Sequence, residues 1–271
     1  MKVGIYVDVS NIVMNGGFGM RYDILQAFAC RDGSDAMRLN TYVSFDQERA
    51  NSDPLYGEKQ ARFHAVLRDL GYKVIIKETK WYTDDTGARI GKSNVDLDLA
   101  VDVLLQSCAL DRVLLVTGDG DFVQVVRALQ NKGCRVECIA FDNVSHDLRK
   151  EVDLFTPGYL IPGLLPIIID EQKMRWEVGS WVRGVMISFD PNKHYGFFRF
   201  INNINGKLWL TDSRDPDSAY LTAYFNEKDL PLNCDAQTHF NRGSIFEFRV
   251  ESSGEGKYHA TNIRLIRSNR L

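Results

Sequence analysis

The sequence predicts a chain in two parts. A three-layer α/β/α half with a mostly parallel sheet is followed by a small all-β barrel. Three observations predict it. Short, nearly all-apolar runs alternate with amphipathic stretches as far as residue 156. A Pro- and Gly-rich break follows over 157–179. From Trp181 onward helical periodicity disappears, and short aromatic or β-branched segments stand between turn-rich stretches.

In order, the apolar runs lie at 3–7, 38–45, 73–76, 112–116, 135–140 and 154–155, and the helical stretches at 22–30, 56–70, 95–108, 122–132 and 145–150. Gly71 and Gly133 stand where C-terminal glycines end helices. Strands separated by single helices imply crossovers and parallel pairing. Strands buried on both faces read as continuous apolar runs, as these do. The later segments 181–189, 195–201, 207–211, 245–250 and 259–266 read as five strands. The expected organisation is an α/β domain over 1–157, a connector over 158–179 and a barrel over 180–271.

Composition excludes several classes. The chain has 271 residues, 44% hydrophobic and 25% charged, which rules out a disordered or collagen-like protein. Its longest apolar stretch, residues 160–169, holds two prolines and a glycine and is half the length of a membrane span. Asp8 interrupts the apolar start that an export signal requires. Five cysteines without a CxxC pair read as reduced thiols, so the expected location is the cytoplasm. Residues 1–170 carry 19 Lys+Arg against 24 Asp+Glu, a net of −5; residues 171–271 carry 14 against 12, a net of +2. An acidic half joined to a weakly basic one hints at divided labour.

Ligands of an open parallel sheet bind beyond the carboxyl ends of its strands. Asp8, Ser10 and Asn11 follow the first run; Thr117, Gly118, Asp119, Gly120 and Asp121 follow the fourth; Asp96 opens the helix before it. Three segments thus bring carboxylates to one rim. Crowded anions repel unless a cation lies among them, and hard oxygen donors suit Mg2+ or Mn2+. Each aspartate has a structural alternative: Asp8, Asp119 and Asp121 as helix caps, and Asp96 as the acid of a capping box with Ser93. Asp102, six residues past Asp96, is expected to support the site from elsewhere, and Asp98 to be solvated. Scattered histidines and the absence of GxSxG and GxxxxGK[ST] leave other catalytic arrangements thin.

The motifs YVDVSN (6–11), K-x3-D-x-x-L-A-V-D (92–102) and TGDGDF (117–122) resemble the NYN family of PIN-like nucleases, in its LabA-like branch. This resemblance implies a PIN-like fold over about 1–157 and metal-dependent RNA cleavage. It places Asp8, Asp96, Asp119 and Asp121 at the metal-binding positions, with Asn11 and Thr117 orienting them and Lys92 available to a phosphate. Haloacid-dehalogenase phosphatases share a GDG-type loop, but their second acid, two residues after the first, is here Ser10.

In the second half, 184–200 interleaves aromatic and basic residues. Residues two apart on a strand share a face, so Tyr195 and Phe197 point one way and Phe198 and Phe200 the other. Aromatics outside the barrel beside Lys193 and Arg199 would form a stacking platform for single-stranded nucleic acid; the alternative is that all four fill the core. KHYGFFRF (193–200) and the closing segments 246–263 resemble a cold-shock domain, an OB-type barrel, over about 181–267. That implies RNA contacts at Phe189, Lys193, Tyr195, Phe197, Arg199 and Tyr224. The pattern departs from the family at Ser188, where a stacking aromatic is expected, and in a long segment over 205–218.

Together these readings describe a metal-dependent ribonuclease acting on single-stranded RNA, without membrane association. The alternatives are an RNA-binding adaptor that keeps the acidic pocket without turnover, and a protein–protein module. A homodimer through the α/β half is compatible with the sequence, which fixes no interface.

Overall fold

The computed structural model describes residues 1–83, 86–167, 177–232, 234–239, 243–254 and 256–268. The expected connector lies partly outside them, at 168–176. The chain divides into two compact units, Met1–Thr156 and Pro157–Leu271.

The first unit runs β1 (Lys2–Asp8), α1 (Val9–Met14), α2 (Tyr22–Ala29), β2 (Asp35–Phe45), α3 (Gln47–Ser52), α4 (Pro54–Asp69) and β3 (Lys73–Glu78). A hairpin follows, β4 (Lys80–Thr83) and β5 (Arg89–Lys92). Then come α5 (Val95–Gln106), β6 (Arg112–Val116), α6 (Val123–Asn131), β7 (Arg135–Ala140), α7 (His146–Glu151) and β8 (Leu154–Pro157). The sheet order is β3-β2-β1-β6-β7-β8, and the pairings from β3 through β7 are parallel. Central β1 and β6 are buried almost throughout, which is why both read as unbroken apolar runs. The α/β prediction holds. The sequence patterns did not disclose α3 or the hairpin, and α1 entered only through the capping alternative for Asp8.

Charge is also buried at the amino edge of the sheet. Arg31 donates to Glu137 (2.5 Å) and to the Phe28 carbonyl (3.1 Å), and Arg112 donates to the Ala29 carbonyl (2.6 Å) and to Ser34 (3.1 Å). These partners make a structural network at this edge, although the Arg112 Nε keeps no partner in it.

The second unit is a closed barrel, ordered β10-β11-β13-β12-β9. Its strands are β9 (Trp181–Asp190), β10 (Tyr195–Ile201), β11 (Tyr220–Asn226), β12 (Ile245–Gly254) and β13 (Lys257–Arg267), with the short α8 (Ala236–His239) before β12. All pairings are antiparallel except β11 with β13. Phe198, Phe200, Phe225, Phe246 and Phe248 fill the interior. The expected strand over 207–211 is a correction: the third strand is β11. Lys207 makes an isolated bridge to Ser218 and no continuous strand pairing, while Ser218 and Tyr220 donate to the Leu210 and Leu208 carbonyls, so this segment folds over the start of β11. The cysteines are free; Cys134 and Cys138 are buried, whereas Cys108 is exposed. No helix among the described residues is long and apolar enough to cross a membrane.

Candidate active site and nucleic-acid surface

Asp8 is the last residue of β1 and the N-cap of α1. Its carboxylate is 3% exposed. One oxygen accepts from the Asn11 N–H (3.0 Å), the other from the Thr117 hydroxyl (3.4 Å). Thr117 follows β6, the strand beside β1, and its oxygen accepts in turn from the Asp119 N–H (3.3 Å). The Asn11 Oδ1 accepts from the Gly118 N–H (2.9 Å). Asn11 and Thr117 therefore tie the end of β1 to the loop after β6.

The glycines of that loop answer to space. A Cβ on Gly120 would stand 2.7 Å from the Ser145 Oγ, and one on Gly118 3.4 Å from the Asn143 carbonyl. The Ser145 N–H also donates to the Gly118 carbonyl (2.9 Å). Asn143 and Ser145 thus close the loop from behind. No sequence motif marked them, because their part is to meet glycines rather than to carry charge.

Capping explains part of the acidic set. Asp119 accepts from the Asp121 N–H (2.9 Å) at the head of a 3-10 turn over Gly120–Phe122. Asp96 caps nothing: α5 starts from Asn94 without a side-chain cap, and the Ser93 hydroxyl has no partner, so the capping box does not form. Burial, with the charges of Asp96 and Asp119 adding to it, outweighs the Asn11 N–H and Thr117 hydroxyl that stabilise the anion, and the Asp8 carboxyl is raised to about 6. Asp96 is raised as well, by partial desolvation and then by Asp119 and Asp121. Four carboxylates from three segments therefore act on one another.

Donor chemistry fits a hard divalent cation, since carboxylate oxygens predominate and Asn11 and Thr117 hold them in place. Among the described residues, however, no group of three or more His, Cys, Asp or Glu side chains is placed so that it could hold a metal ion by itself.

Of the two neighbouring acids, Asp98 departs from expectation and Asp102 stands where a supporting residue would. Asp98, still 32% exposed, is paired rather than free: both its oxygens accept from the Lys77 ammonium (2.9 and 2.7 Å). Asp102 accepts from the Tyr42 hydroxyl (2.9 Å), and Tyr42 pairs with Asp8 in the β1–β2 register. Asp102 thus braces α5 against the sheet beside Asp8. Lys92 ends β5, exposed, four residues ahead of Asp96.

On the barrel, Phe198 and Phe200 are fully buried, while Tyr195 and Phe197 lie half-buried on the outside. Tyr224 joins them, with ring centroids 5.5 Å from Tyr195 and 5.9 Å from Phe197, and His259 lies 5.6 Å beyond Tyr224. Four rings from β10, β11 and β13 make one outer patch. His259 went unnoticed in the sequence because the parallel β11–β13 pairing that brings it to Tyr224 is non-local. Lys193 is exposed just before β10, within 3.9 Å of Asp190. The Arg199 guanidinium lies 5.1 Å over the Tyr220 ring. Phe189 is elsewhere: it packs on the core and stacks against Phe225 at 6.4 Å. A register shift between Phe197 and Phe198 leaves an extra β9 residue opposite β10 and turns Phe189 inward.

The first unit is an open parallel sheet with a group of carboxylates that act on one another at its carboxyl edge. The NYN domain profile matches residues 2–164, more than half of the chain, and the protein belongs to the NYN domain family, a PIN-like nuclease family. The chain is 24% identical over 161 residues to the low amplitude and bright protein LabA of Synechococcus elongatus, covering 57% of this chain and 82% of that one. A crystal structure of a protein of unknown function from Vibrio parahaemolyticus is 26% identical, with a TM-score of 0.46 over 58% of this chain and 91% of the other.

Proposed function

We propose that this protein is a metal-dependent ribonuclease that hydrolyses phosphodiester bonds of single-stranded RNA, with the barrel adding affinity for the strand. The observation that carries the reading is the mutually repelling group of Asp8, Asp96, Asp119 and Asp121 at the carboxyl edge of a parallel sheet. Asp8, Asp96 and Asp119 would hold Mg2+ or Mn2+, with Asp121 bound directly or through water. When bound, such an ion activates water and stabilises charge on the phosphate. Asn11 and Thr117 fix the Asp8 carboxylate and the Gly118–Asp119 backbone. Partial desolvation strengthens the attraction of that carboxylate for a cation.

On the barrel, five strands with an order matching OB-type barrels turn a β10–β11 aromatic face outward, the face such barrels use for oligonucleotides. Tyr195, Phe197, Tyr224 and His259 would stack bases, with Lys193 and Arg199 beside them for phosphates.

That no group of three acidic, His or Cys side chains among the described residues is placed to hold a metal ion favours a second reading, an RNA-binding adaptor without turnover. Asp8→Asn separates the two. It keeps an acceptor for the Asn11 N–H, so the fold should persist. A nuclease loses RNA cleavage by orders of magnitude while retaining RNA affinity. For an adaptor, wild type and variant are equally inert and bind equally well.

A further inference from the structure

We propose that the outward face of the β4–β5 hairpin is a second binding site for single-stranded polynucleotide, built on the α/β unit itself. The inference rests on the nuclease reading for its choice of ligand and on the hairpin's own geometry for its place.

Cross-strand partners in an antiparallel pair share a face. Lys80 opposes Lys92 and Tyr82 opposes Ile90 on one face; Trp81 opposes Gly91 and Thr83 opposes Arg89 on the other. The second face is an anchor. Trp81 lies flat over Gly91, where a Cβ would meet its ring at 3.0–3.1 Å. The Arg89 guanidinium sits 4.9 Å over the Trp81 ring and pairs with Glu48, and the Trp81 Nε1 donates to Asp46 (3.3 Å). Asp46 is the N-cap of α3, so this face binds the hairpin to the helix after β2.

The first face has no such explanation. Among the described residues neither Lys80 nor Lys92 has an ion-pair or hydrogen-bond partner, although the two stand directly opposite each other. Opposed like charges destabilise a strand pair unless an anion lies between them. Two residues along each strand, about 7 Å away, Tyr82 is 55% exposed and Ile90 50%. A cation pair beside an exposed ring on an apolar base suits a nucleotide, with phosphate on the lysines and base on Tyr82. The location agrees. β4 starts two residues after β3 ends, at the carboxyl edge of the sheet, and Lys92 precedes Asp96 by four residues. A rim of four carboxylates repels a polyanion, and this lysine pair supplies the opposite charge close by in the chain.

The test is binding of a fluorescein-labelled oligouridylate to the full-length protein in EDTA, followed by anisotropy across a series of KCl concentrations. Replacing both lysines (Lys80→Ala with Lys92→Ala) should flatten the log K against log salt slope by about 1.4, from about 0.7 per phosphate neutralised. Tyr82→Ala should weaken binding about fivefold or more, and Tyr82→Phe should restore it, since stacking needs the ring and not the hydroxyl. Unchanged slope and affinity in these variants would overturn the hairpin site, and metal-dependent cleavage by the same variants would leave the nuclease reading standing. No binding by the wild-type chain would overturn both. A hairpin effect in a protein that never cleaves would retain this site and remove the nuclease.

Discussion

Asp8 is a carboxylate that the fold makes hard to ionise, and that gives it a pH signature. Its pKa is raised above the ordinary aspartate value, to about 6. The native state therefore holds a proton that the unfolded chain has released, and the metal-free protein loses stability as pH rises from about 4 to about 6. Two units correspond to about 3 kcal/mol, so metal-free Asp8→Asn should be more stable than wild type above pH 6, by up to that amount. Urea titrations in EDTA at pH 4.5 and 7.5 check this; a wild-type stability that does not fall between them contradicts it. Added Mn2+ should restore wild type and leave the variant unmoved. Asn11→Ala should be destabilised by about 1–3 kcal/mol, because the Gly118 N–H loses its acceptor inside the protein; thermal melts would show it. At this scale much of the site was legible. Asp8, Asn11 and Asp119 stand directly after apolar runs, so their place at the strand ends followed from the pattern. Asn143, Ser145 and His259 were not legible, since their meaning lies in what they touch across the fold.

Among elements, β10 divides its aromatics between two environments, and the two faces should respond differently to truncation. Phe198 is fully buried against Phe225, Phe246 and Phe248, with centroids 4.4–4.9 Å away. Phe198→Ala should cost about 3–5 kcal/mol and unfold the barrel early. Phe197→Ala, one residue away on the outer patch, should leave the melting profile nearly unchanged and weaken RNA binding. Calorimetry and anisotropy on both variants decide it, and equal melting losses would place both rings in the core. Strand periodicity made this split readable in advance, because alternation is local. Phe189 escaped it, because the bulge opposite Phe197 and Phe198 reverses the phase of β9. The 207–211 segment read as a strand on β-favouring residues alone, yet tertiary hydrogen bonds tie it to the start of β11.

At the scale of the molecule, charge is shared unevenly. The −5 half carries the acidic rim and the +2 half the outer aromatic patch. Net attraction for a polyanion is slight, so RNA affinity should fall steeply with salt and depend on local lysines and rings rather than on overall charge. The two-part organisation was visible as a change of period at Trp181. The way the barrel closes, through parallel β11 and β13, was not, because no local pattern encodes a pairing between strands so far apart in sequence. The most direct test of the central claim is incubation of the purified protein with 5′-labelled single-stranded RNA in Mn2+, in Mg2+ and in EDTA, beside an Asp8→Asn/Asp119→Asn double variant. The account predicts cleavage with a divalent ion that disappears in EDTA and in the double variant. Cleavage that persists in the variant, or intact RNA under every condition, would contradict it.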